Sequence, residues 1–126
     1  MAQPTLLAIA KADLLTAGKL VKSNNKFQKH QAAYFTQQSI EKTLKYVIGL
    51  KTGEQPWGHD IKKLVLLGQK SEIYIPEKIV EKADIYTNWE VVTRYFPAKV
   101  IYRNSIENAI KVTRDWHKYL SKRGIR

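Results

Sequence analysis

Apolar side chains recur at every third or fourth position along most of this sequence, and no other feature constrains its fold as strongly. Residues with that spacing line one face of an α-helix. Four breaks rich in glycine, proline or asparagine interrupt the pattern, at residues 23–25, 53–58, 68–76 and 97–104. The sequence therefore predicts an all-α fold, an up-and-down bundle of about five helices, four long and one short, joined by short connections.

The signals for helix starts and ends place these five helices along the chain. We expect them over residues 5–22, 26–51, 60–69, from 76 to Pro97, and from 104 onward. Pro4 suits a first helical turn, Asp60 is a candidate N-cap, and Asn104 with Glu107 forms a variant of the capping box.

The ends of the predicted helices carry their own signals. Gly49 or Gly53 can cap the second helix, and Pro97 stops the fourth. The segments 72–75 and 98–102 lie beside prolines, and we interpret them as extended loops rather than strands.

Composition limits the classes of protein to which the chain can belong. Its 126 residues suit a single domain over 1–126, without internal repeats or low-complexity segments. The absence of cysteine excludes disulfides and thiolate metal sites and fits a reducing cytoplasm. No apolar run has the length of a membrane span, and no basic leader precedes Leu6, so we expect a cytoplasmic protein without a signal peptide.

The chain is basic, with 22 Lys and Arg against 11 Asp and Glu and a formal net charge of +11. Both ends carry the positive excess, whereas residues 54–90 are net acidic. A basic face attracts phosphate, whether in a nucleotide, RNA or DNA. The alternative is a solvated surface that only keeps the protein soluble.

A polar stripe in the middle of the second helix is the most informative local pattern. Gln38, Lys42 and Lys45 are spaced at i, i+4 and i+7, with Glu41 beside them, so they share one long edge of the helix. On spacing alone, an exposed face with one Glu–Lys contact is the better explanation of the stripe.

Two further short motifs offer groups that bind anions. His59 comes immediately before Asp60 at the start of the third helix, where free N–H groups and the histidine could hold an anion. Arg94 and Tyr95 end the fourth helix, and there the guanidinium could pair with phosphate while the ring stacks on a base. The alternatives are simple capping at His59 and core packing at the aromatic residues.

The order and spacing of these motifs resemble the HEPN family (higher eukaryotes and prokaryotes nucleotide-binding domain). In that family a QQ-x-x-EK-x-LK core is followed by an HDL-type turn and an RYP-type ending. Residues 37–45 read QQSIEKTLK, the turn carries His59 and Asp60, and the ending is RYFP, which Phe96 lengthens by one residue. The resemblance covers nearly the whole chain.

The resemblance implies a helical bundle that pairs as a homodimer and is similar to the C-terminal domain of kanamycin nucleotidyltransferase. It also implies a non-catalytic module that binds a nucleotide such as ATP and works with a separate minimal nucleotidyltransferase, in a two-component system of which toxin–antitoxin pairs are one form. On this basis the candidate nucleotide-binding residues are Gln38, Glu41, Lys42, Lys45, His59, Arg94 and Tyr95. Lys42, Lys45 and Arg94 would hold phosphate.

Two alternatives to this function remain. Some HEPN proteins are metal-independent ribonucleases with an Arg followed four to six residues later by a His. Here only two residues separate Arg114 from His117, which disfavours that activity without excluding it. A general RNA- or DNA-binding protein is the other alternative, because the basic C-terminal region attracts nucleic acid. The separated histidines carry no metal signature and no glycine-rich phosphate loop is present, so we expect neither a metal nor a cofactor.

Overall fold

The computed structural model describes residues 5–96 and 98–126. Within these residues the chain forms six α-helices: α1 (Leu6–Leu20), α2 (Lys26–Thr52), α3 (Ile61–Lys70), α4 (Glu77–Glu81), α5 (Ala83–Tyr95) and α6 (Arg103–Lys122). The described residues contain no β-strand. The predicted all-α class is confirmed, and residues 72–75 and 98–102 are loops, as expected.

The fourth predicted helix is divided into α4 and α5. Lys82 leaves helical geometry, with φ −107° and ψ 15°. The N–H groups of Lys82 and Tyr86 still donate to the carbonyl oxygens of Lys78 and Lys82, both at 3.1 Å. Because these hydrogen bonds continue past the irregular residue, Lys82 marks a bend in one helical segment and not a connecting loop.

Two of the predicted caps are present and a third is wrong. The Asp60 side chain accepts a hydrogen bond from the Lys63 N–H at 3.2 Å, and Gly53, at φ 84°, ends α2 in the left-handed conformation. Asn104 lies inside α6, which begins after Tyr102. The roles predicted for Pro4 and Pro97 fall on residues outside the described part.

The entry into α6 is fixed by a long-range contact instead of by a local capping box. The Arg103 guanidinium donates at 2.9 Å to the carbonyl oxygen of Ser23, which lies in the connection between α1 and α2. A charged donor on a backbone carbonyl is a strong hydrogen bond. A tertiary interaction therefore sets this helix start, and not the local pattern at Asn104.

One apolar core joins the helices. The apolar stripe of the first predicted helix is buried throughout, at Leu7, Ala10, Leu14, Ala17 and Val21. The buried line of the second is formed by Ala33, Ile40, Leu44 and Val47, whereas Phe27 is exposed. The short connection over residues 21–25 folds α1 back onto α2 as a helical hairpin. Fully buried side chains such as Ile40 and Leu44 each contribute roughly 1.5–3 kcal/mol to stability.

Polar side chains inside this core link α1, α2 and α6. The Ser39 hydroxyl donates to the Ala10 carbonyl oxygen at 2.7 Å, and the Thr43 hydroxyl donates to the Ser39 carbonyl oxygen at 2.7 Å. His117 Nε2 lies 2.9 Å from Thr43 Oγ1. The Thr43 hydroxyl has one proton, which it already donates to Ser39. His117 Nε2 therefore carries the proton of the second contact and donates it to Thr43 Oγ1.

Burial determines the charge state of His117. Only 6% of the residue is exposed, and burial lowers the pKa of His117 to about 4, with the nearby Lys11 charge acting in the same direction. His117 is therefore neutral at pH 7 in the folded protein.

None of the helices in the described part is both long enough and apolar enough to cross a lipid bilayer.

The folded protein should lose stability as the pH falls, because of His117. In the unfolded chain this group titrates near its ordinary pKa, so acid protonates the unfolded state first and the stabilisation, complete above about pH 7, is lost towards pH 4. We expect His117 to account for a loss of about 2 kcal/mol between pH 7.5 and 5. Urea unfolding of the wild type and of His117→Gln at both pH values measures this loss. The loss in the variant is the part that comes from the other titratable groups. Equal losses of unfolding free energy in the two proteins would show that His117 is not the group responsible.

Candidate functional site

A buried carboxylate in the middle of α2 organises the polar residues that the sequence singled out. Glu41 is 3% exposed. Its oxygens accept hydrogen bonds from Gln37 Nε2 at 3.3 Å and Lys45 Nζ at 3.4 Å, both on α2. The spacing i, i+4, i+8 puts the three side chains on one helix face. The pairing of Glu41 with Lys45 follows directly from the sequence, whereas Gln37 was not among the predicted residues.

His59 reaches the same carboxylate from the turn before α3. Its Nδ1 lies 3.1 and 3.2 Å from the two Glu41 oxygens. Gly58, at φ 95°, adopts the left-handed backbone that favours glycine, and this shapes the turn. The Ile61 N–H, just inside α3, donates to the Thr87 hydroxyl of α5 at 3.0 Å, which anchors the turn.

Helix α5 adds a second carboxylate. Suitable oxygen and nitrogen atoms of Glu41, His59 and Glu90 all lie within 4.8 Å of one another. Arg94 pairs with Glu90, with 3.6 Å between Nη2 and Oε1. We call Gln37, Glu41, Lys45, His59 and Glu90 the Glu41 cluster.

Exposure within the cluster differs between the acids and the bases. The Glu41 and Glu90 side chains are 4% and 17% exposed, whereas His59 and Arg94 are 69% and 51% exposed. The carboxylates thus lie beneath His59 and Arg94, whereas Lys45, whose side chain is 12% exposed, is buried beside them. A ligand approaching from solvent meets His59 and Arg94 first.

An aromatic cavity adjoins Arg94. It has a volume of about 430 Å³ and is lined on the α2 side by Phe27, Tyr34 and Phe35. The Arg94 guanidinium lines it too and lies 5.9 Å from the centre of the Tyr34 ring. Contact with Tyr34, and then with Glu90, raises the pKa of Arg94, which stays charged. Arg94 therefore belongs both to this cavity and to the edge of the Glu41 cluster.

Comparison with known proteins identifies the family. The family model described as HEPN domain matches residues 4–123. The chain belongs to the HEPN family. The crystal structure of TT1696 from Thermus thermophilus has a similar fold, with a TM-score of 0.71 and 23% identity over 93% of this chain and 94% of that one. No curated protein matches the sequence.

The predicted site residues of this HEPN domain do not all meet. Glu41, Lys45 and His59 come together, and Arg94 joins them through Glu90. Gln38 lies one step away, because its Nε2 donates to Gln37 Oε1 at 2.7 Å. Of the predicted residues, Glu41, Lys45 and His59 therefore belong to the Glu41 cluster and Arg94 lies beside it. Gln38 contacts the cluster only through Gln37.

Two predicted residues have other surroundings. Lys42 pairs with Asp13 of α1, with Nζ and Oδ2 2.5 Å apart. Adjacent helical residues are rotated by about 100° from each other, so Lys42 leaves the face that carries Glu41. Tyr95 follows Arg94 but is exposed, and it does not line the aromatic cavity.

The residues of the weaker ribonuclease hypothesis lie elsewhere. Arg114 and His117 line a separate cavity of about 390 Å³ between α1 and α6. We call it the α1–α6 groove; it is completed by Lys11, Leu14, Leu15, Lys118 and Ser121. It shares no residue with the Glu41 cluster or with the aromatic cavity.

The spacing of the Glu41 cluster would suit a divalent cation, but its charges are already balanced. Carboxylate oxygens and imidazole nitrogens both serve as zinc ligands. However, Lys45 and Arg94 neutralise Glu41 and Glu90, and a cation would have to displace Lys45 from its carboxylate. The sequence showed no such group, because Glu41, His59 and Glu90 lie far apart along the chain.

Other contributors to the site also escaped sequence analysis. Gln37 precedes the predicted Gln38 in the QQ pair, and only its buried position shows that it contacts Glu41. Glu90 stands four residues before Arg94, a helical pairing that the sequence contains. Tyr34 and Phe35 carried no recognisable signal, since aromatic residues at helical spacing more often pack in a core.

Replacing the buried carboxylate with an amide should weaken the fold. In Glu41→Gln the Lys45 ammonium, whose side chain is 12% exposed, loses its charged partner, and the tie between α2 and the His59 turn weakens. We expect a loss of about 1–3 kcal/mol in the free energy of unfolding, measured with urea at pH 7.

The matched control for this change is Glu54→Gln, at an exposed position after α2. It should change stability by less than about 0.5 kcal/mol. If the two variants unfold alike, Glu41 does not have the structural role assigned to it.

Proposed function

We propose that this HEPN domain is a non-catalytic module that binds a nucleotide such as ATP along the α2–α5 seam. The observation that supports it best is the double role of Arg94, which lines the aromatic cavity and pairs with Glu90 of the Glu41 cluster. A nucleotide has an aromatic base and a phosphate chain. These match an aromatic cavity that lies beside a row of basic side chains.

The dimensions of the seam suit such a ligand. Tyr34 and Glu41 are seven residues apart on α2, about 10 Å along the helix. A base stacked against Tyr34 would direct its phosphates along Arg94 towards His59 and Lys45. Arg94 has five N–H donors and Lys45 has three, so both keep donors for phosphate beyond those directed at the carboxylates.

The buried acids have a defined part in this arrangement. Glu41 and Glu90 contact the basic side chains and hold them in place, so the positive groups are oriented before the ligand arrives. A site oriented in advance loses less conformational entropy on binding. Lys42 contributes to the fold through Asp13 and has no direct contact with the ligand in this proposal.

Binding of ATP should depend on three of these residues. Each of Lys45→Ala, His59→Ala and Arg94→Ala removes a charged or polar contact with phosphate, and we expect affinity to fall about tenfold or more. Isothermal titration calorimetry at fixed salt measures it. Lys51→Ala, an exposed lysine at the end of the same helix, is the matched control and should bind as the wild type does.

A further variant separates the base from the phosphates. Tyr34→Ala should weaken binding of ATP but not of inorganic triphosphate, which has no base to stack. Melting temperatures exclude unfolding as the cause of any loss. Unchanged ATP affinity in both Lys45→Ala and His59→Ala would show that the site is elsewhere.

The partners follow from the family and are part of the proposal. The domain would pair as a homodimer and act with a separate minimal nucleotidyltransferase, in a two-component system that includes the toxin–antitoxin kind. Sedimentation equilibrium of the chain alone tests the dimer. Co-purification with a nucleotidyltransferase encoded in the adjacent gene tests the partner, and a monomer that binds no such protein would refute both.

The ribonuclease alternative has one observation in its favour, because Arg114 and His117 line the same groove. Against it, a pKa of about 4 is far from the value that suits a general base at neutral pH, and Nε2 is engaged by Thr43. Metal-free cleavage of RNA that disappears in His117→Ala would favour this alternative. A protein that cuts no RNA would eliminate it.

A further inference from the structure

The α1–α6 groove concentrates positive charge without any acid. Lys11, Arg114 and Lys118 line it, and no carboxylate is among its lining residues. None of these three bases forms an ion pair within residues 5–96 and 98–126. Lys11 is partly buried, whereas Arg114 and Lys118 are exposed. Elsewhere in the described part, Lys42 and Lys45 each contact a carboxylate.

This arrangement costs stability in the empty protein. Arg114 and Lys118 stand at i, i+4 on α6, where like charges repel, and Lys11 faces them from α1. A bound anion would offset that repulsion. The groove is therefore electrostatically complementary to a negative group.

The remainder of the groove is apolar. Leu14 is buried, whereas Leu15 leaves 70% of its surface exposed beside the bases. The volume of about 390 Å³ is within the range of small-molecule sites.

His117 adds one directional group. Its Nε2 proton is donated to Thr43, so the neutral ring keeps Nδ1 as a hydrogen-bond acceptor. The groove thus combines three positive donors, an apolar wall, the acceptor of His117 and the hydroxyl of Ser121.

We propose that the α1–α6 groove binds a small amphipathic organic anion, with its negative group on Lys11, Arg114 and Lys118 and its apolar part on Leu14 and Leu15. A hydroxyl or amine on the ligand would donate to His117 Nδ1. The site is independent of the α2–α5 seam, so either proposal can fail without the other.

Two fluorescent probes of the same shape test it. The sulfonate 8-anilinonaphthalene-1-sulfonate carries the negative group, and N-phenyl-1-naphthylamine is its uncharged analogue. We expect the sulfonate to bind the folded protein saturably at one site and the analogue to bind at least about tenfold more weakly. Equal affinities would overturn the proposal.

Variants locate the probe. Arg114→Gln and Lys118→Gln should each weaken sulfonate binding about tenfold. Neither should lower the melting temperature, because neither breaks an ion pair. Lys111→Gln, an exposed lysine on the same helix outside the groove, is the matched control and should leave binding unchanged. Affinity that is unaffected in both groove variants would place the probe elsewhere and refute the proposal.

Competition distinguishes the sources of the anion. Adenosine monophosphate and octanoate are titrated separately against the bound sulfonate, as an organic phosphate and an aliphatic carboxylate. Displacement by either supports the proposal and identifies the class. If neither competes at millimolar concentration, the groove does not take such ligands and the proposal is wrong.

Discussion

The Glu41 carboxylate lies in the middle of the longest helix with almost no contact with water, and a buried charge of this kind must be paired and hydrogen-bonded. Gln37 and Lys45 satisfy it from the same helix, and His59 satisfies it from the turn before α3. Because His59 stands next to the cap of α3, the need to pair one carboxylate also fixes the start of that helix. Glu90 and Arg94 extend the same set of charges along α5.

A second polar network, built from neutral groups, lies where α2 meets α1 and α6. Ser39 and Thr43 bridge to the Ala10 carbonyl oxygen and to His117. Such contacts cost little when every member is satisfied, and they fix how neighbouring helices lie against each other more specifically than apolar packing does. Together the two networks surround α2, which explains why a helix with so many polar residues lies at the centre of the bundle.

The two surfaces that could bind anions differ in how their charges are held. Along the α2–α5 seam each base rests on an acid, so the net charge is small and the geometry is rigid. In the α1–α6 groove the bases face one another without an acid, so the charge is large. The first arrangement favours a ligand that is recognised by direction and shape, and the second favours one attracted by charge. The net charge of +11 could not separate these two cases.

Much of the fold could be predicted from the sequence because it depends on local rules. The three-to-four spacing of apolar residues gave the helix faces, and Asp60 and Gly53 gave two of the ends, since capping and left-handed backbone are properties of a few neighbouring residues. The start of α6 was not predictable in this way, because it depends on a contact between Arg103 and Ser23, two residues that are distant along the chain. The bend at Lys82 was not predictable from local rules either.

The same division applies to the site. Helical spacing alone aligns Glu41 with Lys45, and the family motif pointed to His59 and Arg94. Helix packing decided three further features of the site. It brings Lys42 to Asp13 and Glu90 to Glu41, and it forms the aromatic cavity beside Arg94. The sequence by itself determined which residues share a helix face, because that depends on a period of 3.6 residues. Only the tertiary structure decided which faces meet, because those contacts join segments whose separation along the chain carries no information about their distance in space.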